Sequence, residues 1–358
     1  MQWSFNRESG IGKRKSGRLA MQVQNSTTEY ALVTGATGAI GPALTHKLCA
    51  NGVHVRAVAR NTPPPGLLPE NVEFIAGDIA QPKFTDSVMN GATVVFHLAA
   101  KLHTFNPPAH LFDEYERTNV AGTQCVVESA KRNSVRRIVF FSSVNVYGPC
   151  PDAIPNEDFE PRPEGIYAQT KLKAERLVRE ARRSDGSPIG VVLRLSAVYG
   201  PRLKGNYRRL IRALNQRRFI QIGPGDNQRA LIHESDLAGA ALLAAYHPAA
   251  ANRIYNVSDG SNHSFREILQ AICAALGRKP PRLFFPTESI RALIGMLELA
   301  AGIFNAHVPL MRALLDKYLE DATVDSTRIQ QELGFMPQYD LFRGWKDVIK
   351  KMKECGEI

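Results

Sequence analysis

The stretch Leu32-Val33-Thr34-Gly35-Ala36-Thr37-Gly38-Ala39-Ile40-Gly41 decides how the rest of the chain is read. Tyr30 to Thr34 is a short run of β-forming residues, and it stops at Gly35. Three glycines follow at intervals of three, and a helix is expected to start near Ala39. In a strand–loop–helix of this kind each glycine has its own job. One allows a tight turn, one lets the backbone approach a pyrophosphate, and one lets the helix pack closely on the sheet. The helix N-terminus adds free N–H groups and a partial positive charge. Pro42 is compatible, since a missing N–H is tolerated in the first helical turn. Gly35, Thr37, Gly38, Ala39, Ile40 and Gly41 are therefore candidate contacts to a dinucleotide.

Alone, a glycine triplet is equally well a flexible turn. Its context decides otherwise. Val53 to Ala59 reads as a second strand at βαβ distance, followed by Val72 to Ala76, Val94 to Ala100 and Arg137 to Phe141. Strands and helices alternate from Tyr30 to Val198, which predicts an α/β fold with a doubly wound parallel sheet. The second strand ends Ala59-Arg60-Asn61, where NAD-selective sites usually carry an acid for the ribose hydroxyls. An arginine there can meet a 2′-phosphate, so of NAD and NADP the expectation tilts to NADP; a merely solvated Arg60 is the alternative. Asp78 and Ile79 follow the third strand, where Asp78 is either an adenine contact or a turn aspartate. Leu98, Ala99 and Ala100 are small or apolar residues at a strand's carboxyl end, against which a cofactor can lie.

Ser143 stands just beyond the fifth strand, at the sheet edge where ligands bind. By itself it would be a serine capping the next turn. Tyr167 and Lys171 lie four apart in a segment of helical spacing that runs to about Arg182, so they share a face. A free phenol titrates near pH ~10, and a nearby ammonium is expected to lower that value. Tyr167 then exchanges a proton with a substrate hydroxyl or carbonyl, Ser143 holds the same oxygen, and Lys171 also reaches the nicotinamide ribose. A Tyr-x-x-x-Lys spacing is common on solvated helices. Its position after the glycine triplet and a strand-end serine points to hydride chemistry.

The chain has 358 residues, 44% of them hydrophobic, enough for one large core or two lobes. Its five cysteines show no metal-ligand spacing, which fits a reducing cytoplasm and gives no metal site. The formal net charge is +11; residues 1–20 hold five basic residues and one acid and account for +4 of it. Residues 1–28 read as a basic, disordered tail, with Met21 as an alternative start. No stretch reads as a membrane span. Ile290 to Phe304 carries Arg291 and Glu298 and is expected as an amphipathic helix packed in a C-terminal lobe, with a membrane-surface role as the alternative. The basic balance meets no nucleic-acid module and no aromatic-interleaved basic stripe, so no nucleic-acid partner is expected.

With these motifs in order, the chain resembles the extended short-chain dehydrogenase/reductases of the NAD-dependent epimerase/dehydratase type. The resemblance runs from about Tyr30 to Leu341. It takes in the glycine triplet, Asp78, His97 to Ala100, Asn119 to Thr123, Ser143, Tyr167, Lys171, Arg194 to Pro201 and Tyr255-Asn256-Val257. It implies a Rossmann domain over residues 29–199, with a return near 229–258, and a smaller substrate-binding lobe from 200–228 and 259–350. It also implies Asn119 as a cofactor contact, and homodimers formed through helices near 110–132 and 167–183. Dehydratases of this family carry an Asp-Glu pair after the catalytic hydroxyl; here stand Val144 and Asn145, which argues against dehydration. Cys150 lies beyond the position of the epimerising cysteine in the GDP-fucose synthase type.

The resemblance points to a nucleotide sugar, UDP-linked and reacting at C4, as the partner of the second lobe, either by 4-epimerisation or by 4-keto reduction. Residues 201–219 hold seven arginines and lysines and no acid, which suits a diphosphate or is simply a solvated face. Asn206 and Arg229 match substrate-binding positions of such epimerases, with Ser143 and Asn145 as further contacts. The family's second diphosphate arginine is missing, and Lys317 to Asp321 stands there instead. A hydroxysteroid-dehydrogenase or dihydroflavonol-reductase type, and a non-catalytic cofactor sensor, remain alternatives.

Overall fold

A computed structural model describes residues 30–103, 107–202, 205–281, 283–303 and 311–358. The basic tail of residues 1–28 and Met21 lie outside them. The first half runs β1 (Tyr30–Thr34), α1 (Gly41–Ala50), β2 (His54–Ala59), β3 (Glu73–Ala76), α2 (Pro82–Met89), β4 (Val94–His97), α3 (Phe112–Tyr115), α4 (Gly122–Arg132), β5 (Arg137–Ser143), α5 (Gly165–Glu180) and β6 (Gly190–Leu195). The second half adds β7 (Ala197–Tyr199), α6 (Asn206–Asn215), β8 (Gln221–Ile222), β9 (Gln228–His233), α7 (Glu234–Tyr246), β10 (Ile254–Val257), β11 (Asn262–Ser264) and α8 (Phe265–Leu276). It ends with β12 (Phe284–Phe285), α9 (Thr287–Ile303), α10 (Met311–Leu319), α11 (Thr327–Leu333) and α12 (Leu341–Glu354).

The central sheet has seven strands in the order β3-β2-β1-β4-β5-β6-β10, all parallel. Such a sheet is covered on both faces, which is why its inner strands are predominantly apolar. Alternate residues feed two cores. Ala31, Val33, Val139, Phe141, Val191 and Leu193 pack under α1 and α7. Leu32, Ile138, Phe140 and Val192 pack under α2, α4 and α5. Strand order reverses between β1 and β4, so the glycine loop after β1 opens into a crevice at the carboxyl end of the sheet.

Strands β2 and β3 each start one residue later than expected, and three further boundaries differ for visible reasons. Helix α1 starts at Gly41, two residues later than expected, because Gly38 N–H closes a turn on the Gly35 carbonyl at 3.0 Å. Strand β4 stops at His97, since beyond it the Ala99 N–H turns to the Thr34 hydroxyl at 3.3 Å. Strand β5 runs on to Ser143, because Ser142 and Ser143 stay in register with Arg194 and Leu195.

A three-stranded sheet, β11-β9-β7, leads away from the central one. Beside it α6, α8 and α12 enclose a core in which Trp345 stacks on Tyr199 at 4.6 Å. The two regions are joined by a buried polar chain. Arg194 on β6 pairs with Glu175 on α5 at 2.7 Å, both almost fully buried. The Ser142 hydroxyl donates to the same carboxylate. Arg194 lies over the Tyr147 ring at 4.8 Å, and the Tyr147 hydroxyl donates to Asn256 at 2.7 Å. The Asn256 side chain in turn donates to the Asp325 carbonyl at 2.9 Å.

Removing one member of a buried pair leaves the other charge desolvated and alone, at a cost of about 3–5 kcal/mol. Arg194→Met should lower unfolding free energy by that amount in urea titrations. Glu175→Leu combined with Arg194→Met should recover most of it.

Candidate active site

The crevice beside the glycine loop is lined by Gly35, Thr37, Gly38, Ala39, Ile40, Gly41, Arg60, Asp78, Ile79, Leu98, Ala99 and Ala100. A Cβ on Gly35 would stand 2.7 Å from the Ala99 backbone, and one on Gly41 would stand 2.1 Å from the Ala36 carbonyl. At Gly35 and Gly41 the loop therefore admits only glycine. In the first turn of α1, Pro42 has no N–H and the Leu44 N–H bonds to the Ile40 carbonyl at 3.1 Å. This set fits a dinucleotide pyrophosphate.

The wall of the crevice is fixed by a relay not anticipated from sequence. Thr123 donates its hydroxyl proton to the Asn119 carbonyl at 2.6 Å, so it must accept from His97 Nε2 at 2.9 Å. His97 Nδ1 is then left to accept from Thr34 at 2.7 Å, while Thr34 accepts from Ala99 N–H. Every polar atom of this fully buried relay is paired, which sets the His97 tautomer. Burial pushes the His97 pKa down to about 3, so the ring is neutral throughout the physiological range.

Asp78 is committed to more than a ligand. It accepts from Ala80 N–H at 3.0 Å and pairs with Arg117 at 2.8 Å, and despite partial desolvation these partners hold its carboxyl below its usual value. Arg60 is exposed at the crevice mouth beside Asn61. Asn119 is buried and does not line the crevice. Its side chain accepts from Lys101 N–H at 2.7 Å and donates to Thr170 at 3.1 Å, tying the wall to α5.

Ser143, Tyr167 and Lys171 converge where β5 meets α5. Ser143 stands close enough to Tyr167 for its hydroxyl to favour the phenolate. Lys171 is buried, with its ammonium 4.2 Å above the Phe140 ring. The expected lowering of the phenol by the lysine is not what this geometry gives. Desolvation raises Tyr167 to about 12, with the Ser143 hydroxyl opposing it. The same desolvation lowers Lys171 to about 7, against the Glu175 carboxylate one turn on. Burial therefore outweighs the mutual influence of the two groups.

On the far side of this trio lies a second cleft, lined among others by His103, Asn145, Cys150, Glu164, Lys317 and Glu320. Asn145 is exposed into it and donates its N–H to Ser143 at 3.2 Å. His103 packs edge-on against Tyr167 at 5.7 Å. Desolvation and the Lys317 charge hold its pKa below the ordinary histidine value. Cys150 reaches this cleft, but burial pushes its thiol up and away from a reactive thiolate.

The substrate residues expected from sequence separate. Arg229 lies at the cleft's edge, bridging in β fashion to Ala322, and its Nη2 donates to the carbonyls of Tyr318 (2.9 Å) and Lys317 (3.3 Å) at the end of α10. Asn206 is exposed at the first position of α6 and does not line the cleft. The basic run of residues 201–219 does not act as one patch. Arg202 pairs with Glu234 at 3.2 Å and Arg208 with Glu357 at 2.9 Å, while Arg217 lines a different cleft altogether.

Residues 31–258 match the model of the NAD dependent epimerase/dehydratase family. The chain belongs to this family. Among solved structures, MoeE5 in complex with UDP-glucuronic acid and NAD is 30% identical, with a TM-score of 0.71 over 91% of this chain and 99% of that one. The UDP-glucose 4-epimerase of Vibrio cholerae is 29% identical over 91% of this chain and 96% of that protein. The 2-alkyl-3-oxoalkanoate reductase of Stenotrophomonas maltophilia is also 29% identical, over 87% of this chain and 96% of that protein.

Several residues of this epimerase/dehydratase-family chain escaped the sequence reading. Asn61 and Thr118 line the dinucleotide crevice, and His103, Glu164 and Lys317 line the second cleft. For Lys317 a signal existed, since it stands in the stretch that replaces the family's second arginine. Asn61 and Thr118 adjoin residues that were read, Arg60 and Asn119, while His103 and Glu164 have no motif around them.

The Lys171 shift has a definite sign. Its pKa is depressed from 10.5 to about 7, so below pH ~7 the folded state bears the whole cost of burying the ammonium. That cost fades as pH rises from ~7 toward ~10.5, where the unfolded chain also loses the proton. Lys171→Met should therefore be more stable than the parent at pH 6, with the gap in melting temperature narrowing toward pH 10.

Proposed function

We propose that the protein is a nicotinamide-dependent oxidoreductase or 4-epimerase acting on a nucleotide-diphosphate sugar, with Ser143, Tyr167 and Lys171 as its catalytic residues. The observation that carries this reading is the convergence of Ser143, Tyr167 and buried Lys171 between a glycine-lined crevice and a second cleft. The glycine loop, Arg60, Asp78 and the wall from Leu98 to Ala100 would hold the dinucleotide, and Lys171 would reach its ribose. A bound nicotinamide supplies the hydride acceptor or donor.

The chain's own residues handle the proton. At neutral pH a phenol with a pKa of about 12 is phenolate in only about one part in 10⁵, so Tyr167 rests as a donor. It is thus poised to protonate the oxygen of a carbonyl as the carbon is reduced. For the reverse step it needs an adjacent cation, and Lys171 supplies one when protonated. Ser143 donates to the same substrate oxygen and keeps it in line. Val144 and Asn145 supply no acid or base for loss of water, which supports simple hydride transfer over dehydration.

The diphosphate would be met by Arg229, whose Nε and Nη1 have no hydrogen-bond partner among the described residues, and by Lys317 in place of a second arginine. Relatives that act on UDP-glucose or bind UDP-glucuronic acid support this class. A second reading, reduction of a ketone that bears no nucleotide, is favoured by the 2-alkyl-3-oxoalkanoate reductase relative and by the incomplete pair of arginines.

Tyr167→Phe should keep fold and cofactor binding while turnover falls by roughly 10²–10⁴. Calorimetry with UDP and a UDP-sugar panel separates the two readings: binding that Arg229→Ala weakens supports the sugar nucleotide, and no binding alongside ketone reduction supports the second. Arg60→Ala should weaken NADP(H) by about 1.5–3 kcal/mol and leave NAD(H) nearly unchanged, if the arginine meets a 2′-phosphate. Mass spectrometry of the copurifying cofactor checks the parent preference.

A further inference from the structure

The C-terminal region carries a surface of mixed character that shares no lining residue with either cleft of the candidate active site. Strands β8 and β12 pair in parallel, Gln221 with Phe284 and Ile222 with Phe285. The chain approaching β8 reads Arg217-Arg218-Phe219-Ile220, and the chain approaching β12 reads Arg278-Lys279-Pro280-Pro281-Arg282-Leu283. The two approaches therefore run in the same direction, with Arg217 and Arg218 preceding Phe219 and Ile220 in one, and Arg278 and Lys279 preceding Leu283 in the other. Neither segment contains an acid.

The apolar layer is open. Leu283 is 88% exposed, Ile220 63%, Phe285 54% and Phe284 46%. The following helix α9 adds Leu293, Met296 and Leu297, one stripe at helical spacing, all exposed, while Ile294 beside that stripe is buried. The expected packed amphipathic helix thus leaves an apolar stripe uncovered. Monomeric soluble proteins rarely leave such apolar surface contiguous unless it meets a partner.

The basic layer is organised as well. Arg217, Arg278 and Lys279 line one cleft over a floor that includes Leu214 and Phe219, and it shares no lining residue with the crevice or the substrate cleft. Arg278 is fixed there by a 3.0 Å hydrogen bond to the Asn215 carbonyl. Arg217 ends α6 with φ of +56°, the left-handed position where glycine is the cheapest residue. A cation is kept at a position that backbone energetics would give to glycine.

We propose that this face docks the protein on an anionic lipid bilayer. The aromatic and aliphatic side chains of β12 and its approach enter the headgroup region, and the cleft cations take lipid phosphates behind them. Charge complementarity selects this occupant: an acid-free band beside an apolar edge matches the layering of a negatively charged interface. The inference is independent of the substrate assignment, because none of these residues touches the candidate active site.

The test is cosedimentation of the full chain with vesicles at ~0.1 M salt, one set pure phosphatidylcholine and the other half phosphatidylglycerol. Binding is expected to the anionic vesicles and not to the neutral ones. Arg217→Gly with Lys279→Ala should weaken it roughly fivefold per cation removed. That pair leaves folding intact, since glycine suits the Arg217 backbone and Lys279 is a surface side chain. Leu283→Ser with Phe284→Ser should abolish the binding that survives high salt. Failure to bind anionic vesicles, or binding unchanged in both pairs, overturns the proposal. Self-association that Leu283→Ser with Phe284→Ser removes, without vesicle binding, also overturns it and makes the face an interface between copies.

Discussion

The fold and the candidate chemistry meet in one buried ion pair, Glu175 with Arg194. Glu175 stands one helical turn beyond Lys171 and two beyond Tyr167, and it also accepts from Ser142, the neighbour of Ser143. A single carboxylate therefore fixes helix α5 against the ends of β5 and β6, and with it the distance between the serine and the tyrosine. Arg194 extends the same constraint through Tyr147 and Asn256 to the segment around Asp325. A pair this dry contributes little net stability compared with an apolar replacement. What it contributes here is orientation: a unique polar partner for each of three elements that apolar packing alone would let slide.

Dryness also governs the electrostatics. Tyr167 is pushed up while Lys171 and His97 are pushed down, all by the same cause, so each leans to its neutral form. In such surroundings a new charge acts at low effective dielectric and is felt strongly. The site is accordingly responsive to what binds in it and insensitive to moderate changes of external pH at His97, whose ring keeps its tautomer through the Thr34 and Thr123 hydroxyls.

Much of this was legible in the sequence, for identifiable reasons. The glycine triplet could be read because Gly35 and Gly41 sit where any Cβ would strike backbone. The parallel sheet could be read because strands buried on both faces have to be predominantly apolar. Tyr167 and Lys171 could be read because helical spacing is local. The second cleft could not, since His103, Glu164 and Lys317 are brought together by topology from three distant segments. Nor could the division of the basic run, because a count of charges does not say which way each side chain points. The expected phenol shift missed for a related reason: spacing placed the lysine near the tyrosine, but only the packed fold determines how much water is left around either.

Strand β6 is buried along its whole length between β5 and β10. Its outer neighbour, Ile254–Val257, is synthesised some sixty residues later, after the chain has left to build β7, α6, β9 and α7. Until that strand emerges from the ribosome, a nascent chain holding the complete glycine loop and the tyrosine–lysine helix presents a bare sheet edge, apolar but for Arg194. An edge of that kind pairs readily with other strands. The order of synthesis thus makes the first two hundred residues a sticky intermediate and not a free-standing nucleotide-binding module. The return of the chain to the sheet closes that edge.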